Sequence, residues 1–268
     1  VFLYKLIYDS TMNFVKYIFL LISIIAGCIT SYASTSFNNE TINYVVQYKW
    51  GIVEKNAATA TLRLVNKPND YDIFLTAKTL PWADKIFMVR DTLISKISKS
   101  DFKPISYTKI THENNKYRKD LLTYTYSGRH AYGRCVRIKQ NPGAPVKKNV
   151  ISCSATGPTY DMVSIFYYIR ALDFSQLGNN KIVKANVFSG SGAEVIKIKC
   201  IGRENVKIPS GKTYPCYHLQ FTFTMHGRSD SSKPIDAWIS SDAQHIPVKL
   251  VGTLPIGQVR CFLTSVTK

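Results

Sequence analysis

Two glycine-containing segments have residue types that bind phosphate groups, but neither has the full spacing of a nucleotide site. Ser210-Gly211-Lys212-Thr213 has the ending of a phosphate-binding loop, yet Val206 stands where its first glycine belongs. Pro215 and an alternating segment then follow where that motif needs a helix. Gly190 and Gly192 lack the third glycine of a dinucleotide-binding loop. Both segments are therefore predicted to be hairpin turns, and no cofactor is expected.

Histidine-based chemistry has no sequence signature in this chain. The 5 histidines are scattered, and none lies in a zinc-binding pattern or beside a nucleophile elbow. They are His112, His130, His218, His226 and His245. Ser164 could join a triad with a histidine and an aspartate from elsewhere, since triads assemble in space rather than in sequence. A serine inside a helix is ordinarily a small packing residue, so catalysis is not expected.

The cysteines are spaced for disulfides rather than for a metal, because the sequence has no C-x-x-C pair. A hairpin turning about Ala144 would set Cys135 opposite Cys153, which predicts a bridge between them. Cys200 and Cys216 flank another turn, but their faces differ, so that pair would need a β-bulge. With Cys261 these cysteines make an odd number, so at least one thiol stays free or pairs between chains.

One segment predicts a helix in a chain that is otherwise patterned for strands. Thr159 to Asp173 carries an apolar stripe at the helical period. The stripe consists of Met162, Ile165, Phe166, Ile169 and Leu172. Thr159 and Asp161 supply N-cap oxygens, and Gly178-Asn179-Asn180 would end the segment. The opposite side, with Tyr167, Tyr168 and Arg170, is expected to keep polar contacts.

The rest of the chain alternates between polar and apolar residues, which predicts about twelve strands at roughly even spacing. The predicted fold is mainly β: an antiparallel barrel, half-barrel or sandwich with one amphipathic helix packed on an open end or face. Six residues would line the interior, namely Tyr44, Tyr48, Trp50, Phe221, Phe223 and Met225. Two interpretations of these six residues are possible: they line an open cavity for a lipid-like ligand, or they form a packed core.

Residues 1–33 are interpreted as an upstream stretch and an export signal, and 34–268 as a single exported domain. Met12 is expected to be the true start, because Lys16, an apolar run and Ser31-Tyr32-Ala33 follow it in the order of a signal peptide. A second alternative is a lipoprotein signal, in which Cys28 after Ile25-Ala26-Gly27 is acylated and attaches the protein to a membrane.

The net charge of +18 suggests an anionic partner. The segment from Leu121 to Tyr160 contains no acidic residue, although it contains several arginines and lysines. In an exported protein this excess favours anionic lipid, lipopolysaccharide or acidic glycan over nucleic acid. The alternative is a basic surface without a dedicated partner.

Five short elements resemble one known family. They are Tyr44 to Trp50-Gly51, Val89-Arg90-Asp91, Asp161-x-x-Ser164-x-x-Tyr167-Tyr168-Ile169-Arg170, Gly211 to Cys216, and Ile246-Pro247-Val248. Together they are similar to the exported bacterial family called domain of unknown function 3108, over nearly all of the chain after the signal. The resemblance implies a secreted β-rich domain in the periplasm or outer membrane of Gram-negative bacteria, with no established reaction.

We therefore expect a non-enzymatic envelope protein that binds an amphipathic or anionic component (a lipid, lipopolysaccharide or a glycan) or an envelope protein partner. The alternatives are a hydrolase acting on envelope polymers and a purely structural domain. The residues singled out as structural or functional candidates are Asp91, Asp161, Ser164, Tyr167, Tyr168 and Arg170. Asp91 and Asp161 are interpreted as a cap and as ion-pair or hydrogen-bond partners that, with Arg170, hold the helix on the sheet.

Overall fold

The computed structural model describes residues 36–174, 177 and 181–268. The predicted signal, with Cys28, and the predicted helix end at Gly178-Asn179-Asn180 lie outside the described residues. Within the described ranges, no helix has both the length and the apolar character needed to cross a membrane.

The described chain forms 15 strands in one sheet. They are β1 Glu40–Trp50, β2 Val53–Asn66, β3 Asp70–Thr79, β4 Val89–Ser98, β5 Pro104–Glu113, β6 Lys116–Ser127, β7 His130–Gln140, β8 Lys147–Thr156, β9 Thr159–Tyr160, β10 Ile182–Phe188, β11 Ala193–Lys207, β12 Thr213–Met225, β13 Ile235–Ser240, β14 Pro247–Thr253 and β15 Gln258–Thr267. Two short helices, α1 Pro81–Asp84 and α2 Ser164–Arg170, complete the fold.

The strands form a nearly closed, mostly antiparallel barrel, as the sequence predicted. Neighbours in sequence are neighbours in the sheet from β1 to β8 and from β9 to β15, and β15 pairs with β1. The exception to antiparallel pairing is β9, which runs parallel to β10. We call the end at which β1 turns into β2 the upper end, and the end at which β1 begins the lower end.

Alternating burial shows which side chains face the interior. In β4, every second residue from Val89 to Ile97 is buried, while Arg90 and Lys96 face solvent. This period of two is the property of a strand with one face in the core and one in water. The alternation begins at Val89, where β4 starts after the short helix α1.

Side chains close the seam between β8 and β10. Asn186 of β10 donates through Nδ2 to the carbonyl oxygens of Thr156 at 3.1 Å and Pro158 at 3.2 Å. Phe188 packs over Gly133 of β7, where an added Cβ would lie 2.7 Å from the phenyl ring. A residue larger than glycine at position 133 would therefore hold the two edges apart.

The helix lies inside the barrel at its lower end; the sequence predicted a helix packed on an open end or face, and the structure adds that the strands surround it. It contacts the inward faces of β1 and β4, and all of its residues are buried. It is also shorter than the predicted Thr159 to Asp173, because Thr159 and Tyr160 form β9 against Asn186 and Val187. The strands surround the helix, so its polar side faces protein as well.

The six residues predicted to line the interior divide into two groups. Tyr44, Phe221 and Phe223 are buried core residues, which agrees with the packed-core alternative. Trp50 and Met225 lie at the upper end with exposed side chains, and the Tyr48 hydroxyl donates to the carbonyl oxygen of Ile256 at 2.9 Å. The prediction was wrong for Trp50 and Met225, because the strands extend beyond the packed interior at that end, whereas Tyr48 is partly buried and packs against the core.

The strand register does not place the predicted disulfide partners opposite each other. Cys135 faces Ile151, and Cys153 faces Gly133, so the two cysteines are diagonal neighbours. Both are free thiols, and Cys153 donates to the carbonyl oxygen of Gly133 at 3.7 Å. Because a hairpin register shifts with its turn, loop length alone did not determine this pairing. The five described cysteines are all free.

Candidate functional site

Two groups of buried or half-buried polar residues lie inside the barrel. The first holds the two ends of α2, and we call its members the helix anchors: Glu40, Ser95, Asp161, Ser164 and Arg170. The second lies on the inward faces of β4 to β7 towards the upper end, and we call it the charged layer: Asp91, Lys109, Glu113, Arg118, Asp120 and Arg137. Buried polar groups need partners, so each group indicates what holds the interior together.

Asp161 and Ser164 form a reciprocal cap at the start of the helix. Asp161 Oδ1 accepts from the backbone N–H groups of Val163 at 2.7 Å and Ser164 at 2.8 Å. In return, the Asp161 N–H donates to Ser164 Oγ at 2.8 Å. This arrangement binds the N–H groups of Val163 and Ser164 at the start of the helix with the reciprocal geometry of a capping box. Asp161, which was predicted as an N-cap residue, therefore binds backbone N–H groups at the start of the helix, although the residue that directly precedes the helix is Val163.

Asp161 also ties the helix to the barrel wall, because Ser95 Oγ of β4 donates to its Oδ2 at 2.5 Å. Complete burial raises the pKa of Asp161 to about 6, although the hydrogen bonds from Ser95, Ser164 and Val163 oppose that shift. A buried carboxyl that accepts hydrogen bonds from three residues is held in one position, which suits a structural anchor.

Ser164 is positioned for capping rather than for catalysis. Its hydroxyl accepts from the Asp161 N–H and lies 3.5 Å from the Asp161 carbonyl oxygen. His245 contacts the other end of the helix, where its Nδ1 donates to the carbonyl oxygen of Arg170 at 2.7 Å. Among the described residues, no histidine is therefore hydrogen-bonded to Ser164, and the triad hypothesis gains no support from this geometry.

Arg170 and Glu40 form a buried ion pair at the lower end of the helix. Two guanidinium nitrogens donate to the two carboxylate oxygens, with Nη2 3.0 Å from Oε2. The side chains of both residues are almost fully buried, and Arg170 Nε donates to the carbonyl oxygen of Gln244 at 3.2 Å. Phe37 packs under the guanidinium with its ring centre 4.8 Å away. Arg170 thus joins α2, β1 and the β13–β14 loop.

Tyr167 and Tyr168 are packing residues. The Tyr167 ring meets Phe37 edge to face at 5.1 Å, and burial together with the Glu40 carboxylate raises the pKa of its phenol well above the usual value. The Tyr168 ring lies 4.6 Å from Tyr160 of β9. Both lie on the side of the helix that was predicted to keep polar contacts, and the structure buries that side against protein.

Asp120 is the centre of the charged layer. Its carboxylate accepts from Arg137 Nε at 2.7 Å and from Arg118 Nη2 at 2.7 Å. Burial alone would raise the pKa of Asp120, but the hydrogen bonds and charges of Arg137 and Arg118 outweigh it and hold the pKa below the usual value. Arg137 also donates to the carbonyl oxygen of Gly190 at 2.7 Å, so the layer reaches across the seam to the β10–β11 turn.

Asp91 belongs to the charged layer and not to the helix anchors. It is 1% exposed, its Oδ1 accepts from the His112 N–H at 2.9 Å, and its Oδ2 is buried without a hydrogen-bond partner. Burial, reinforced by the charge of Glu113, raises the pKa of Asp91. Burial lowers the pKa of Lys109 on the neighbouring strand. Each of these pKa shifts favours the neutral form of a side chain that burial has removed from water.

The structure therefore separates residues that the sequence interpretation grouped together. Asp161 and Arg170 hold opposite ends of the helix, and the ion-pair partner of Arg170 is Glu40 rather than an aspartate. Charged residues on the apolar face of an alternating strand, such as Asp91 and Lys109, were a detectable signal of a polar interior. Glu40, at the first position of a strand, carried no such signal. Within 36–174, 177 and 181–268, no three potential ligands come together as a metal site requires.

The first prediction concerns the buried ion pair. Arg170→Ala is expected to lower the free energy of unfolding by about 3–5 kcal/mol, because it leaves Glu40 buried without its partner. Arg90→Ala is the matched control, since Arg90 pairs with Asp84 but its side chain is 41% exposed, and it should cost at most about 1 kcal/mol. Urea unfolding measures both, and equal losses would contradict the assigned role of the Arg170 pair.

The second prediction concerns the pH dependence contributed by Asp161. Its folded pKa of about 6 lies above the usual value, so the native state binds the proton more tightly than the unfolded chain. Its contribution to stability is therefore complete below about pH 4 and is lost as the pH rises through about 6, by about 3 kcal/mol.

Asp161→Asn keeps an oxygen for the cap and removes this titration. Stability measured by urea unfolding from about pH 4 to about pH 7 should show the variant gaining on the native protein as the pH rises. Parallel curves for the two proteins would show that Asp161 titrates normally.

The third prediction concerns the β10–β11 turn, which contacts the charged layer through Gly190. Gly190 has a φ of 86°, and an added Cβ would lie 2.8 Å from Asp120 Oδ2. Gly211 has a φ of 89° in another turn, with nothing within 4 Å of such a Cβ. Gly190→Ala should therefore lower the free energy of unfolding by about 1–3 kcal/mol more than Gly211→Ala, because it disturbs the buried Asp120 pairs. Similar losses would mean that backbone conformation alone matters.

A solved structure shares this architecture. The crystal structure described as a beta-barrel-like protein of domain of unknown function DUF1849, from Brucella abortus, matches with a TM-score of 0.56 over 86% of this chain and 97% of that chain. The two sequences are 8% identical, so the likeness concerns the fold alone. A comparison with curated proteins gives no match.

The sequence itself matches a family over residues 43–264, a range that runs from β1 to β15 and includes both buried polar groups except Glu40. The description of that family is "Protein of unknown function (DUF3108)". The matched range contains the capped helix, the charged layer and both edges of the seam. The chain belongs to the DUF3108 family.

Proposed function

We propose that this chain is a non-enzymatic exported protein of the bacterial envelope, and that it binds an anionic envelope component on the hairpin formed by β7 and β8. The hairpin, His130–Thr156, is called the basic hairpin below. The partner would be a phosphate-bearing or carboxylate-bearing component, such as lipopolysaccharide or an acidic glycan. The periplasm or outer membrane is the proposed location.

The observation that carries the proposal is the unbalanced charge of the basic hairpin. It contains no aspartate or glutamate. Its solvent-exposed cations are Arg134, Lys139, Lys147 and Lys148. Arg137 faces inwards and is neutralised by Asp120, so the exposed cations are the ones available to a partner. A concentrated field of one sign attracts anions and raises their association rate.

The shape of the basic hairpin also supports a surface contact. Residues 147–150 are exposed on both faces of β8, because the seam contact with β10 is made near Thr156 at the lower end. Val146 and Val150 are exposed there beside Lys147 and Lys148. A strand of this kind offers charge, apolar contact and a free backbone edge to one partner.

The interior supports this surface proposal over an enclosed ligand. Tyr44, Phe221 and Phe223, which would line a lipid cavity, are buried, and the lower part of the interior holds α2. Glu40 and Asp120 use their buried charges in pairs that connect structural elements. The exposed cations lie outside, on the basic hairpin.

Exchanging charges tests the proposal. The double variant Lys147→Glu/Lys148→Glu should weaken binding to lipopolysaccharide or heparin by about tenfold or more at low salt, because two contacts become repulsive. Lys67→Glu/Lys207→Glu is the control, since it changes the net charge equally at exposed positions near the lower end. Isothermal titration measures the affinities, and equal weakening by both pairs would refute a site on the basic hairpin.

A further inference from the structure

The turn between β1 and β2 exposes three large apolar side chains. Trp50 is 62% exposed, Val53 is 55% exposed and Ile52 is fully exposed. Trp50 and Val53 are the last cross-strand pair of the hairpin, and Gly51 and Ile52 form the turn. We call Trp50, Ile52 and Val53 the apolar tip. Single exposed apolar residues are common on proteins, but three adjacent ones at a projecting turn indicate a contact surface.

The base of this hairpin is held on both sides. The Tyr48 hydroxyl donates to the carbonyl oxygen of Ile256 in the β14–β15 turn at 2.9 Å. On the other side, Trp82 Nε1 of α1 donates to the carbonyl oxygen of Asn56 at 2.7 Å. The apolar tip therefore extends from a fixed base, and its side chains cannot fold back into the core without breaking these contacts.

The charges around the apolar tip are positive. Lys49, Lys55 and Lys85 lie beside it, and within the described part of the chain none of them forms an ion pair. The nearby carboxylates are already neutralised, since Glu54 pairs with Arg260 and Asp84 pairs with Arg90. Lys55 also lies over the Trp82 ring, with its Nζ 4.4 Å from the ring centre. Ile86, beyond Lys85, adds another exposed apolar side chain.

We infer that the apolar tip inserts into the head-group region of an anionic lipid bilayer, with the surrounding lysines on the lipid phosphates. Tryptophan prefers the membrane interface, and shallow insertion of a few apolar residues combined with basic residues binds anionic lipid. A protein partner fits less well, because stable protein interfaces bury about 1,200 Å² or more and a hairpin tip is far smaller.

The topology places the basic hairpin at the same end of the barrel. In an antiparallel meander the β1–β2, β3–β4, β5–β6 and β7–β8 connections all lie at one end, and the strand order shows this arrangement. One membrane plane can therefore contact the apolar tip and the basic hairpin together. The inference rests on the proposed envelope location, and it adds a lipid-binding site that the basic hairpin does not supply.

Tryptophan fluorescence tests the inference at the tip itself. Trp238→Phe leaves Trp50 and Trp82, both at the upper end, as the emitting residues. Full-length protein with this change is mixed with phosphatidylglycerol vesicles containing brominated phosphatidylcholine. The emission should shift to shorter wavelength and be quenched by the bromine. Unshifted and unquenched emission would overturn the inference. That result is also the one expected if the apolar tip binds another protein rather than lipid.

A matched pair of substitutions then assigns the contact. In the same background, Ile52→Asp should weaken vesicle partitioning by about tenfold, because a buried apolar group becomes a charge near anionic lipid. Ile182→Asp makes the same change at an exposed isoleucine near the lower end and should have no effect. Equal losses would overturn the inference. Its failure is distinguishable from failure of the proposed function, because lipopolysaccharide binding by the basic hairpin is measured separately.

Discussion

A buried arginine inside a β-barrel needs a carboxylate as its counter-charge, and the rest of the structure depends on the ion pair that Arg170 forms with Glu40. Glu40 is the first residue of β1, and β1 is the strand that joins the beginning of the described chain to its last strand. The ion pair therefore connects the internal helix to the point where the two halves of the sheet meet. Removing a charge from water is costly, and here the cost is offset by two parallel hydrogen bonds and by stacking on Phe37.

The need of a buried charge for a counter-charge also explains the upper half of the interior. Asp120 is fully buried, and two arginines supply its counter-charges while one of them also reaches the turn at Gly190. The seam between β8 and β10 lacks a continuous backbone ladder, so side chains hold the two edges together. At this seam, polar side chains therefore connect the two edges, as backbone hydrogen bonds connect neighbouring strands elsewhere in the sheet.

Charged and apolar side chains are unevenly distributed over the surface. At the upper end Asp84 pairs with Arg90 and Glu54 pairs with Arg260, while in the described part of the chain Lys49, Lys55 and Lys85 form no ion pair, and the β1–β2 turn carries exposed apolar side chains. The combination of positive charge and apolar tips is suited to an anionic amphipathic surface such as the outside of a lipid layer. The catalytic signatures sought in the sequence resolve into structural features: Gly190 and Gly211 lie in turns, and Ser164 belongs to a helix cap.

The sequence by itself determined the local features of this protein. Alternating polarity predicted the strands and a mainly β fold with a barrel among its alternatives, Asp161 was predicted to supply an N-cap oxygen, and the run without acids from Leu121 to Tyr160 contains the basic hairpin. The tertiary structure alone decided that the helix lies inside, that Glu40 is the partner of Arg170, and that Cys135 faces Ile151. The reason is physical: periodicity and capping act within a few residues, whereas closing the barrel brings together residues 130 positions apart, and a small change of strand register alters every facing pair.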